Sequence, residues 1–122
     1  MELEYFGANA IKIKSGNATI GFDLSLPGSD KFVGASKELK AVFYTDSAKV
    51  KGQIPDEVKK FEMAGEYEIG AFSIRGAMTP ARGEVYGTTK SNVFLVDCND
   101  FGLVGVIGYA APELSSAAAE LL

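Results

Sequence analysis

The sequence predicts a single α+β domain that consists mainly of antiparallel or mixed β-sheet and ends in a helix. Three observations support this prediction. A length of 122 residues fits one domain, a composition of 47% apolar and 23% charged residues is typical of a globular chain, and short apolar runs are separated by turn-forming residues. We therefore expect one hydrophobic core built from residues 1–122.

The first part of the chain predicts a meander followed by a buried strand. Residues 3–6 and 11–14 alternate apolar with charged side chains, as half-exposed strands do, and a turn signal follows each run. Residues 18–24 form a third candidate strand, which ends near a Pro-Gly-Ser-Asp turn. Residues 41–45 read Ala-Val-Phe-Tyr-Thr, and this run predicts a strand that is buried on both faces.

Five further strands are predicted in the second part of the chain, at residues 61–63, 66–69, 71–75, 93–97 and 103–107. The tight connections between the first three imply antiparallel neighbours. Residues 46–58 predict a loop with at most a short helical turn near Pro55, and residues 76–91 predict a Gly- and Pro-rich loop. Residues 112–122 have Pro112 in a plausible first turn and alanines in the body, and they predict the helix.

The predicted elements include too few helices to bury both faces of the sheet. A helix about 10 Å wide cannot cover both faces of a sheet whose strands lie about 4.8 Å apart. An uncovered face would be a large apolar patch, which soluble monomers rarely expose. That patch would carry residues such as Phe43, Phe94, Val104 and Val106. We therefore expect a homodimer in which a second copy stacks its sheet on this face.

Composition argues against nucleic-acid and membrane partners. Twelve basic residues against sixteen acidic ones give a net charge of −4, and the longest basic run is Lys59-Lys60, so the surface repels phosphate backbones. No apolar run approaches the roughly 18 residues that cross a bilayer. The N-terminus lacks the pattern of an export signal, and the single Cys98 excludes an intramolecular disulfide. A cytoplasmic location is the expectation that follows.

The absence of histidine limits the chemistry that this chain can perform. Without histidine there are no histidine-based nucleophilic triads, no imidazole acid–base catalysis near neutral pH and no His-rich zinc sites. A single cysteine, Cys98, cannot form a thiolate zinc site. The sequence therefore excludes zinc sites and catalysis of these kinds, and we assign no catalytic residue, no cofactor and no metal ligand from it.

Several local strings occur in a characteristic order. They are residues 1–7 with 11–13, Phe-Asp at 22–23, the buried run at 41–45, and Ala-Gly-Glu-Tyr-Glu-Ile at 64–69 followed by Ile-Arg-Gly at 74–76. In order and spacing, across residues 1 to about 114, they resemble the metallo-β-lactamase superfamily. The resemblance is to the small metal-dependent hydrolase branch that includes L-ascorbate-6-phosphate lactonase-like proteins.

The resemblance implies a particular architecture. Members of the superfamily are four-layer αβ/βα sandwiches of about twice this length, built from two similar halves with the metals where the sheet edges meet. This chain resembles the first half only. We therefore expect half of a metallo-β-lactamase-like αβ/βα sandwich, whose second sheet would come from a homodimer or from a second half-domain chain.

The same alignment places residues without suitable donors at most of the family's ligand positions. The ligands of the family's Thr-His-x-His-x-Asp-His motif correspond to Asp46, Ala48, Val50 and Lys51. A further family histidine falls near Ala81, and the bridging aspartate falls at Tyr109. Because a zinc site needs several donors that converge on one ion, these replacements imply a degenerate, metal-free site without attack by a metal-bound hydroxide.

Three aspartates would lie at strand ends near this pocket: Asp23, Asp46 and Asp97. Clustered carboxylates bind Mg²⁺ or Ca²⁺, but aspartates at strand ends also cap turns, which is the interpretation that we favour. The sequence therefore predicts a non-catalytic module that acts through self-association or partner binding. The alternative is a hydrolase whose site retains Asp23 and Asp46 and is formed between subunits or completed by a second polypeptide.

Overall fold

The computed structural model describes residues 2–7, 9–24, 34, 36–45, 55–85, 88–98, 102–108, 110–111 and 113–122. These residues form nine strands and one short helix. The α+β class with a C-terminal helix is confirmed. Within these ranges, no helix has both the length and the apolar character needed to span a membrane.

The first sheet contains five strands in the order in which they occur along the chain. They are β1 (Glu2–Gly7), β2 (Ala10–Ser15), β3 (Ala18–Phe22), β4 (Leu39–Phe43) and β5 (Lys59–Phe61). The first three strands pair in an antiparallel manner, which confirms the predicted meander, and β3, β4 and β5 are parallel. Residues 41–45 are buried throughout, as their continuous apolar run predicts.

The second sheet contains four antiparallel strands. They are β6 (Glu66–Ile69), β7 (Phe72–Val85), β8 (Thr88–Asp97) and β9 (Leu103–Val106). The helix α1 (Ser116–Leu121) lies on the outer face of this sheet, where Ala118 packs with Val93 and Ala110. The chain therefore supplies two sheets and one helical layer.

The prediction of a loop over residues 76–91 is wrong, because most of this segment belongs to the ladder between β7 and β8. The glycine and proline that suggested a loop have other roles. Gly76 lies opposite Phe94, and a Cβ atom at Gly76 would be 2.8 Å from the Phe94 ring. Pro80 pairs with Lys90 where the register of the ladder shifts. Glycine inside a strand often marks such a close approach rather than a loop.

The prediction that residues 61–63 and 66–69 are antiparallel neighbours is also wrong. Strand β5 pairs with β4 in the first sheet, whereas β6 pairs with β7 in the second sheet. The chain crosses between the sheets here because the ring of Phe61 stacks on Phe43 and also packs against Tyr67, with centroid distances of 5.0 Å and 4.5 Å. Burial of these rings outweighs the local turn signal at Ala64-Gly65.

The helix begins later than predicted. Ser115 caps α1, since its side-chain oxygen accepts a hydrogen bond from the backbone N–H of Ala118 at 3.1 Å. Serine is a preferred N-cap, so the helix begins at Ser116 although Glu113 and Leu114 precede it. Pro112, which was expected in the first turn, lies outside the described residues.

The two sheets pack face to face around one aromatic core. The rings of Phe22 and Phe43 lie 5.6 Å and 5.5 Å from the ring of Phe94, which is 0% exposed. Val104 and Val106 are partly buried against the same core. The predicted uncovered face with Phe94 is therefore wrong, because the second sheet comes from the same chain. The apolar patch no longer supports a homodimer, and the homodimer stays a prediction.

Candidate functional site

The carboxyl ends of β3 and β4 meet the start of β8 at one end of the molecule. Asp23 follows β3 and Thr45 follows β4. Because β3 and β4 are parallel, both residues lie at the same edge of the sheet. Ser91 and Asn92 approach this edge from β8 of the second sheet. We call these four residues the polar cluster.

Asp23 uses its carboxylate to hold the end of the neighbouring strand. Its two oxygens accept hydrogen bonds from Thr45, one from the backbone N–H at 2.9 Å and one from the hydroxyl Oγ1. Asp23 is buried and has a φ of +48°, a left-handed conformation that aspartate tolerates better than most residues. Its backbone N–H donates to the carbonyl of Phe43 at 2.9 Å. These contacts are those of an acid that fixes a strand end.

Ser91 and Asn92 connect the two sheets. The Ser91 hydroxyl and the Asn92 backbone N–H both donate to the carbonyl of Thr45, at 2.9 Å and 2.7 Å. The Asn92 side-chain amide donates to the carbonyls of Tyr44 and Glu62, at 3.1 Å and 2.9 Å. Neither residue was among the candidate site residues predicted from the sequence. The available signal was a polar pair directly before the apolar run that forms β8.

Gly108 allows the chain after β9 to approach the polar cluster. It has a φ of +60°, and a Cβ atom at this position would collide with the side chain of Thr45. Any other residue would be strained by its conformation and by this contact. The resemblance aligns Gly108 with the glycine of the family's Gly-Asp element, so the structure brings this position next to Asp23 and Thr45.

Most of the remaining predicted ligand positions lie in parts of the chain that the structure does not describe. Asp46, Ala48, Val50, Lys51 and Tyr109 lie outside the described residues. Ala81 lies in β7 and forms a bridge with Ala110, and its methyl side chain has no donor atom. Asp97 lies at the far end of β8, about 20 Å along the strand from Ser91, so it does not join Asp23.

The described residues do not fit the zinc centre of the family. Among them, no group of three His, Cys, Asp or Glu side chains is placed to hold a metal ion. At the cluster itself, Asp23 is the acidic member, and both of its oxygens already accept hydrogen bonds from Thr45. These bonds leave a lone pair on each oxygen, but a single carboxylate does not supply the several donors that a zinc site needs. No reaction step can be derived through a metal from these residues.

Tyr44 lies beside the polar cluster and is 1% exposed. Among the described residues, no group forms a hydrogen bond with its hydroxyl. Burial, followed by the negative charges of Asp23 and Glu62, raises the pKa of Tyr44 well above its usual value. The hydroxyl therefore stays neutral and, as far as the described residues go, is an uncompensated polar group in the core.

Replacing Tyr44 with phenylalanine should leave stability at pH 7 unchanged or raise the free energy of unfolding by about 1 kcal/mol, because an unpaired buried hydroxyl is costly. The pH dependence is a sharper test. An unfolded tyrosine ionises near pH 10 and the buried Tyr44 does not, so wild-type stability falls above about pH 10. Part of this fall should disappear in Tyr44→Phe. Urea unfolding at pH 7 and about pH 11 measures both effects, and a destabilised variant at pH 7 would contradict the assignment.

Cys98 is the other ionisable group that burial perturbs. It is 1% exposed and packs in the core between the sheets. Burial, and then the adjacent charge of Asp97, raises the pKa of the Cys98 thiol. Because the thiolate is the reactive form, this environment suits an inert core thiol and not a nucleophile.

Comparison with known proteins identifies the fold. No protein-family model matches the sequence, and no curated protein matches it. The chain is similar to a Thermotoga maritima protein assigned to the Zn-dependent hydrolases of the metallo-β-lactamase superfamily, with a TM-score of 0.66 and 19% sequence identity. The match covers 97% of this chain and 54% of that protein, so this chain spans about half of its length. The fold predicted from the resemblance is therefore confirmed as metallo-β-lactamase-like.

Proposed function

We propose that this chain is a non-catalytic, metal-free module with a metallo-β-lactamase-like fold, which acts through association. The observation that carries the proposal is the polar cluster. Near the pocket that the resemblance implies, the carboxylate of Asp23 is engaged by Thr45, and Ser91 and Asn92 bind backbone carbonyls. The bonds of Asp23 fix the ends of two strands of the first sheet, and those of Ser91 and Asn92 hold the two sheets together. We further propose a cytoplasmic location, from the composition alone.

Exposed apolar side chains support association with another polypeptide. Apolar side chains are exposed along both terminal strands β1 and β9, with Leu3 54% and Leu103 64% exposed. We propose either a homodimer or a complex with a second half-domain chain. A homodimer would use the exposed side of β9 and a second chain would use either strand, whereas the buried Phe94 face would take no part.

Metal analysis and mass measurement test this proposal. We expect protein purified without chelator, then incubated with Zn²⁺ or Mn²⁺ and desalted, to retain far less than one ion per chain. Light scattering at micromolar concentration should give twice the 12.9 kDa of one chain if it forms a homodimer. Stoichiometric metal would contradict the metal-free assignment. A monomer that also captures no second half-domain chain would contradict the association.

The alternative is a hydrolase whose site is completed by a second polypeptide. The observation that favours it is that Asp23 keeps a carboxylate beside Thr45, near the pocket that the resemblance implies. In that case the complex, and not this chain alone, should bind metal and hydrolyse a test substrate such as a phosphodiester. An Asp23→Asn variant of the complex should then lose metal and activity while the complex still assembles.

A further inference from the structure

The two flanks of the sandwich differ. At one flank, β5 and β6 are brought together by the rings of Phe61 and Tyr67, and the Tyr67 hydroxyl donates to the carbonyl of Met63 at 2.7 Å. At the other flank lies β1, the terminal strand of the first sheet in the described part of the chain. We call it the β1 edge. Here Leu3 and Tyr5 are 54% and 69% exposed, so apolar side chains line this edge.

The residues of the β1 edge alternate in charge and polarity. Leu3 lies opposite Ile13, whose side chain belongs to the core between the sheets, so Leu3 lies on the inner face. Glu2 and Glu4 lie on the opposite, outer face, since side chains alternate along a strand. Glu4 is 63% exposed at its side chain. The edge therefore presents carboxylates on one face and apolar side chains on the other.

The chain itself contains one strand that complements β1. Strand β2 reads Ala-Ile-Lys-Ile-Lys-Ser, and it places Lys14 opposite Glu2 and Lys12 opposite Glu4. The Lys12 ammonium lies 4.0 Å from the Glu4 carboxylate. Opposite charges in cross-strand positions are favourable, and like charges are not. A strand added on the side of β1 that faces away from β2 would meet the same two faces, so its complement is again alternating apolar and basic.

A second copy of β1 does not meet this requirement. Suppose that two β1 strands pair in an antiparallel manner with their inner faces on the same side. Even-numbered residues of one strand then lie opposite even-numbered residues of the other. Glu2 or Glu4 of one copy then faces a glutamate of the other. Edge strands use such charges to avoid pairing with themselves. Charge complementarity therefore favours a foreign strand over self-pairing at this edge.

We propose that the β1 edge binds, by strand addition, an extended segment of another polypeptide in which apolar residues alternate with Lys or Arg. Main-chain hydrogen bonds would extend the first sheet to six strands, and the apolar side chains of the segment would cover Leu3. Glu2 and Glu4 would select the basic residues. This inference rests on the proposed function and names the surface and the chemistry of the partner.

Peptide binding tests the inference. The probe is a labelled peptide with the sequence of residues 9–16, Asn-Ala-Ile-Lys-Ile-Lys-Ser-Gly, and the control peptide has glutamate in place of both lysines. Fluorescence anisotropy should show the lysine peptide binding about tenfold or more tightly than the glutamate peptide, with affinity falling as salt rises. Amide NMR shifts should concentrate in residues 2–7. Equal binding of both peptides, or shifts elsewhere, would overturn the proposal.

Two double variants make the charge requirement specific. Glu2→Lys with Glu4→Lys should reverse the preference, so that the glutamate peptide binds more tightly. The variant with Glu2→Gln and Glu4→Gln should abolish the preference. It replaces the lysine variant as the test if the lysine variant folds poorly. Circular dichroism shows whether each variant is folded. A preference that persists in the glutamine variant would contradict the role of these carboxylates. Light scattering of the chain alone measures its oligomeric state independently of peptide binding. The absence of peptide binding at the β1 edge can therefore be distinguished from the absence of a homodimer.

Discussion

Replacing Phe94 with alanine should lower the free energy of unfolding by about 3–5 kcal/mol, which is a large part of the total stability of a domain of this size. Phe94 is fully buried between the sheets, and its ring contacts Phe22 from β3 and Phe43 from β4. The truncation removes these ring contacts and leaves a cavity in the core between the two sheets. Urea unfolding monitored by circular dichroism measures the change.

Leu103→Ala is the matched control for this prediction. Leu103 lies on β9 of the same sheet but is 64% exposed, so its truncation should cost no more than about 0.5 kcal/mol. Equal losses for the two variants would mean that Phe94 is not enclosed by the first sheet. A Phe94→Ala variant that stays as stable as the wild type would contradict the sandwich arrangement itself.

Replacing Asp23 with alanine should lower the free energy of unfolding by about 3 kcal/mol. Two donors of Thr45, its backbone N–H and its hydroxyl, would lose their charged acceptor in a buried position. Alanine would also occupy a residue whose φ is +48°, which adds strain. The same unfolding experiment should be carried out with and without a chelator, since the proposed role of Asp23 is independent of metal.

Asp23→Asn is the control that separates the charge from the shape of this side chain. Asparagine retains one acceptor oxygen and tolerates the left-handed conformation, so it should lose about half as much stability as alanine or less. The losses of both variants should be the same in the presence of a chelator and of Zn²⁺. A wild-type protein that Zn²⁺ stabilises and an Asp23 variant that it does not stabilise would instead indicate a metal site.

Local patterns predicted those elements whose burial follows from alternation along the chain. The meander of β1 to β3 and the buried run of β4 were predicted because apolar and charged residues alternate in the first and apolar residues are continuous in the second. The assignment of β5 and β6 to different sheets was not predicted, because it depends on the packing of Phe61 on Tyr67. A pattern within one segment contains no information about such a partner.

The polar cluster was predictable only in part, for a similar reason. Asp23 could be identified because an aspartate directly after an apolar strand is a common turn residue. Asn92 could not be identified in this way, because its amide donates to the carbonyls of Tyr44 and Glu62, which lie 48 and 30 residues earlier in the sequence. Its role exists only once β8 lies across the ends of β4 and β5. Gly76 suggested a loop, but it lies within β7 and makes room for the ring of Phe94.

The position of β8 in the chain also affects folding during synthesis. Ribosomes make the chain from its N-terminus, so the strands carrying Phe22 and Phe43 emerge before β8 can cover them. Until Phe94 has emerged, these two rings lack it as a packing partner, and the nascent chain exposes an apolar aromatic surface. Contacts between residues so distant in sequence close slowly, so refolding should be much slower than for a small helical protein.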